Sequence, residues 1–127
     1  MLRPHPFAEY GQFIVSGKQD LFRLGWIADY PSPDAFLFPL FSSTSPDNVT
    51  GLASTEVDDL LGAARREAVP AVRDQLYREV EQKILSQFVV VPVAQLQTRM
   101  VVAKRVDGFR LNPMGSFDGA AVTVAAT

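Results

Sequence analysis

The sequence predicts a mixed α/β domain, α+β in its ordering, on three observations. Two stretches, from Ser54 and from Pro70, repeat apolar residues at helical spacing. Two others, Phe88 to Ala94 and Met100 to Ala103, are dense in β-branched residues. The order is helix, strand, proline-rich loop, two helices, strands, which is not a regular βαβ series.

Taken in chain order, Pro6 to Gly17 spaces Phe7, Tyr10, Phe13 and Ile14 as a short helix, with Gly17 as its stop. Leu21 to Ala28 is apolar or aromatic on both parities, the pattern of a strand covered on both faces. Prolines and serines break regular structure from Pro31 to Pro46, although Asp34 to Phe41 can make one or two helical turns behind Pro33. Ser54-Thr55-Glu56-Val57-Asp58 opens the next helix, with Thr55 and Asp58 at capping-box spacing. Val57, Leu60, Leu61 and Ala64 form its buried stripe.

The helix from Pro70 to about Gln87 places Val72, Leu76, Val80 and Ile84 on a core face. Arg73, Asp74, Arg78, Glu81 and Lys83 make a solvated face with pairs such as Asp74 and Arg78. Pro92 confines the strand after Phe88 to an edge or bulge. Beyond Gly108 the pieces are short: Phe109 to Leu111, a turn at Asn112-Pro113-Met114-Gly115, and a last strand over Ala121 to Val124.

With 127 residues, no cysteine and one histidine, the chain lacks disulfides, thiolate metal sites and a Ser-His-Asp relay. His5 reads as a solvated terminal residue. A formal net charge of -2 argues against nucleic acid, whose binding displaces counterions with Lys and Arg. No apolar run reaches membrane-spanning length, and Met1-Leu2-Arg3-Pro4 lacks the basic start and apolar region of a secretory signal. Asn48-Val49-Thr50 matches a glycosylation acceptor but reads first as a polar turn. No cofactor motif is present, and Gly17-Lys18 has no phosphate-loop context.

The chemistry concentrates in Leu21 to Phe41. Trp26 offers a flat apolar face and Asp29 a charge-assisted hydrogen bond for an ammonium group. Together they describe a pocket for an amine; equally, Trp26 fits a core and Asp29 a turn cap. Asp29 with Asp34 could in principle work as a hydrolase acid/base pair, the rival reading, yet no nucleophile or metal cage accompanies them.

In order, Gly25-Trp26-Ile27-Ala28-Asp29-Tyr30-Pro31-Ser32-Pro33-Asp34, Asn48 with Thr50-Gly51, Glu56-Val57-Asp58, Arg73 with Leu76-Tyr77, Val91-Pro92-Val93 and Val106-Asp107-Gly108-Phe109 resemble the C-terminal part of a family 5 extracellular solute-binding protein. These are the dipeptide-, oligopeptide- and nickel-binding components of bacterial ABC importers. The resemblance implies a fragment of the C-terminal lobe of a two-lobed periplasmic-binding-protein type II fold. Residues 1–107 would belong to that lobe, and 108–127 would form a tail crossing to the N-terminal lobe.

It further implies a non-enzymatic, extracytoplasmic role. A small peptide would be held by Asp29 at its α-ammonium, with Trp26 lining the cleft, and delivered to a permease. A site between lobes needs both walls, so the chain alone is expected to bind weakly. Apolar surface without its neighbour makes a homodimer of the fragment, or a ligand-free interaction remnant, the further expectations.

Overall fold

The computed structural model describes residues 4–126. Met1-Leu2-Arg3, at the start of the stretch compared with a secretory signal, and Thr127 at the end of the tail lie outside the described residues. Four helices and a two-stranded sheet follow in order: α1 Phe7–Val15, α2 Asp34–Phe41, α3 Thr55–Arg66, α4 Pro70–Ser86, β1 Val106–Asp107 and β2 Thr123–Val124. The mixed class holds, with far more helix than strand.

The core is a three-helix cluster. Phe41 from α2, Leu52 from the following loop, Val57, Leu61 and Ala64 from α3, and Tyr77, Val80 and Ile84 from α4 are its buried members. The α3 stripe is as the spacing predicts, with Leu60 half-buried. On α4 Val80 and Ile84 are buried as predicted, but the earlier turns differ: Tyr77 turns inward, while Val72 is exposed and Leu76 half-buried. The charged face of α4 makes no Asp74–Arg78 pair. Lys83 reaches across to Glu56 of α3 at 2.6 Å, and Gln75 donates to Glu79 at 3.1 Å.

The cap of α3 is Ser54, whose Oγ accepts from the Val57 amide at 3.4 Å. That is one residue ahead of the predicted capping box. Asp58 is thereby free to turn backwards, and its carboxylate accepts from Ser42 Oγ, from the Ser43 amide at 2.9 Å and from Ser43 Oγ. Burial alone would raise its pKa, but these hydrogen bonds outweigh it and hold the carboxyl below the usual value. They fasten the end of α2 to the start of α3. Between them Asn48 orders a polar turn, donating to the carbonyls of Ser42 and Leu52 and accepting from Thr50.

Three expectations fail. Leu21 to Ala28 is not a strand: it runs without regular structure, and Leu21 and Ile27 are 86% and 87% exposed. Phe88 to Ala94 and Met100 to Ala103 also form no strand. The physical reason is common to all: β-rich sequence needs a neighbour to hydrogen-bond and cover it, and no neighbouring strand lies beside these segments among the described residues. His5, thirdly, is not free in solvent; its ring stacks on Phe13 with centroids 4.0 Å apart, and its Nε2 is buried with no hydrogen-bond partner among the described residues.

α1 packs against none of the other helices. It is tied instead to the segment that follows, because Tyr10 Oη donates to the Arg23 carbonyl at 2.6 Å and accepts from the Arg23 amide at 2.9 Å. α4 ends at Ser86, Phe88 just beyond it lies in the left-handed region with φ +55, and the chain then runs without helix or strand to β1. β1 and β2 pair antiparallel, Val106 with Val124 and Asp107 with Thr123. The turn at Asn112 forms as expected, its Oδ1 accepting from the Met114 and Ser116 amides. The 108–126 segment thus returns onto residues 106 and 107 of this same chain.

Candidate functional site

The loop between Gly25 and α2 is built by a defect in the helix it leads into. Pro39 has no amide hydrogen, so the carbonyl of Ala35 loses the partner that residue i+4 of a helix supplies. The indole Nε1 of Trp26 donates to that carbonyl at 2.8 Å. Trp26 is therefore half-buried against the first turn of α2, with its polar edge occupied. Asp29 stands exposed in the loop, three residues on.

Asp34, the first residue of α2, is the centre of a polar cluster that composition alone did not reveal. It is only 7% exposed. Oδ2 accepts from Tyr30 Oη at 2.6 Å; Oδ1 accepts from Tyr77 Oη at 3.2 Å and faces Arg65 Nε at 3.5 Å. The Arg65 guanidinium also lies 4.0 Å over the Phe38 ring. Burial, reinforced by the Asp34 charge, pushes the Tyr77 phenol up to about 12. The hydrogen bond to Asp34 raises Tyr30 as well, and the charge of Asp29 adds a smaller push in the same direction.

Asp29 thus lies close enough for its field to reach the Tyr30 hydroxyl. Beyond that hydroxyl opens a depression of about 400 Å³, lined by Tyr30, Pro31, Asp34, Arg65, Arg73 and Tyr77 among others. Neither Trp26 nor Asp29 lines it. Of the acids paired in the sequence reading, Asp34 has both oxygens engaged within the protein, whereas Asp29 has no side-chain hydrogen bond or ion pair among the described residues. Tyr77 was missed as a site neighbour, and the signal for it was weak: a tyrosine in step with Val80 and Ile84.

No family model matches the chain. Curated proteins do match it. The chain is 28% identical over 106 residues to the peptide transport periplasmic protein SapA of Haemophilus influenzae, covering 81% of this chain and 19% of that protein. It is 29% identical over 122 residues to di/tripeptide-binding protein 4 of Pseudomonas aeruginosa, covering 91% and 23%. A third relative, heme-binding protein A of Haemophilus influenzae, is 28% identical over 113 residues, 87% of this chain and 21% of its own length. The chain spans about a fifth of the length of the curated relatives it matches. Several of these relatives are peptide-binding proteins, and about four fifths of the chain aligns with them at modest identity, in keeping with the family 5 solute-binding proteins that it resembles.

Proposed function

We propose that this chain forms one wall of the solute cleft of a peptide-type ABC importer receptor, acting outside the cytoplasmic membrane and catalysing nothing. Residues 1–107 make up part of the C-terminal lobe, and 108–127 are its tail. Asp29 takes the α-ammonium of a short peptide, Trp26 offers the face beside it, and a permease receives the cargo. The observation that carries this reading is the similarity to relatives named for peptide transport and di/tripeptide binding. The carboxylate of Asp29, unpaired among the described residues and close in sequence to a tryptophan whose indole is hydrogen-bonded, agrees with it. No helix among the described residues is long and apolar enough to cross a membrane.

One wall cannot exclude water from a ligand, so the affinity of the chain alone is about 1 mM or weaker. Two-dimensional amide NMR reads that range directly. Trialanine shifts the Trp26 indole and the amides around Asp29, N-acetylated trialanine does not, and Asp29→Asn abolishes the difference. Equal shifts from both peptides in the unmodified chain, or none around residues 26–30, would overturn the ammonium contact.

A further inference from the structure

Asp29 owes its place to its neighbours in the chain. The backbones of Ile27, Ala28 and Asp29 make no backbone–backbone hydrogen bond among the described residues. The chain beyond them is tightly turned: the Ser32 amide donates to the Tyr30 carbonyl at 2.8 Å, the Asp34 amide to Ser32 Oγ at 3.3 Å and the Ala35 amide to the Ser32 carbonyl at 3.1 Å. Pro31 and Pro33 punctuate this turn with their fixed φ. Its closure is the bond that Tyr30 Oη donates to Asp34 Oδ2, at 2.6 Å across four residues.

Asp34 is suited to hold that closure still. Its backbone belongs to α2, which packs on both α3 and α4. Oδ1 meets Tyr77 of α4 and Arg65 of α3, so Oδ2 is left to Tyr30. A carboxylate only 7% exposed is costly to bury, and an apolar side chain at the head of α2 would pack without that cost. What the carboxylate supplies is direction. A hydrogen bond fixes the Tyr30 hydroxyl to a point, whereas apolar contact has no preferred angle.

We propose that Asp34 is a positioning residue for the ligand contact at Asp29, acting through Tyr30, the residue that follows Asp29 in the chain. The proposal rests on the ammonium role given to Asp29 above. Asp34 need not touch the ligand, because both of its oxygens are engaged within the protein.

Amide NMR tests it with Tyr30→Phe and Tyr77→Phe, each of which takes one hydroxyl from Asp34 and leaves the other. One readout, the heteronuclear amide NOE of residues 27–30, needs no ligand. The other is the dissociation constant of trialanine. In Tyr30→Phe the NOEs are expected to fall and trialanine to bind about threefold or more weakly, with the urea midpoint scarcely moved. Tyr77→Phe should lower the urea midpoint and leave both NMR readouts as they are. A purely structural role for Asp34 gives the reverse ranking. Unchanged NOEs in Tyr30→Phe, equal falls in the two variants, or a trialanine affinity in Tyr30→Phe within about twofold of the unmodified chain overturns the proposal. The ammonium contact fails separately: equal shifts from trialanine and N-acetylated trialanine in the unmodified chain overturn it, and the NOEs then still decide whether Asp34 orders the loop.

Discussion

Removing the carboxylate at Asp34 is expected to cost far more than an average surface change, and the cost falls mainly on one hydroxyl. In Asp34→Ala, Tyr77 keeps a phenol that is 4% exposed and has lost its acceptor. A buried donor left without a partner costs about 1–3 kcal/mol. Tyr30 is 44% exposed and can turn to water, so it adds little. The Arg65 side chain is 46% exposed, and its ion pair adds at most about 1 kcal/mol. The expected loss is therefore about 1–4 kcal/mol. Tyr77→Phe alone removes donor and hydrogen bond together and costs about 1 kcal/mol. In the double variant no orphaned hydroxyl remains, so it should lose about 1 kcal/mol less than the two single losses added. Urea unfolding followed by far-UV circular dichroism measures all four chains, with the slope against urea expected to stay constant. A loss below about 0.5 kcal/mol in Asp34→Ala, or strict additivity in the double variant, would refute the reasoning.

The same groups set edges on the pH–stability profile. The folded pKa of Tyr77 is raised from 10.0 to about 12, so its contribution is complete below the unfolded value and is lost as the pH climbs through that window; Tyr77→Phe should flatten the alkaline decline. Asp58 is lowered from 3.8, so its contribution is present above that value and disappears as the pH falls through the folded pKa. Urea midpoints collected from neutral to acid pH should fall less steeply in Asp58→Asn than in the unmodified chain; parallel curves would remove Asp58 from the account. Phe88→Gly should raise the urea midpoint, by up to about 1 kcal/mol in stability, because Phe88 holds φ +55 while its ring is 88% exposed. A fall would mean that the ring contributes contacts that outweigh the backbone strain.

Where structure is set within a few residues, the sequence was a good guide. The α3 stripe, the short α2 behind Pro33 and the Asn48 and Asn112 turns all follow from spacing and turn chemistry. Elements that depend on distant neighbours were misread. Leu21 to Ala28 and Phe88 to Ala94 have the composition of strands, but composition records what a segment can pair with and not whether the partner is beside it. On α4 the predicted stripe of Val72, Leu76, Val80 and Ile84 was right in its last two members and wrong in its first two, where Tyr77 turns inward instead. Trp26 and Asp29 were legible as chemistry, while the cluster holding Tyr30 and Tyr77 around Asp34 was not, because it joins residues 43 positions apart.

The bond from the Trp26 indole to a carbonyl that Pro39 has left vacant bears on the cost of recognition. That bond and the Tyr30–Asp34 contact fasten the loop at two points, with Asp29 between Trp26 and Tyr30. A loop so tethered has already surrendered most of its conformational freedom during folding. Any cation that meets Asp29 encounters a carboxylate whose backbone needs little further ordering, so less of the contact energy is consumed in immobilising the protein. A proline that looks like a flaw in α2 thus removes, at a distance of ten residues, an entropic toll on binding.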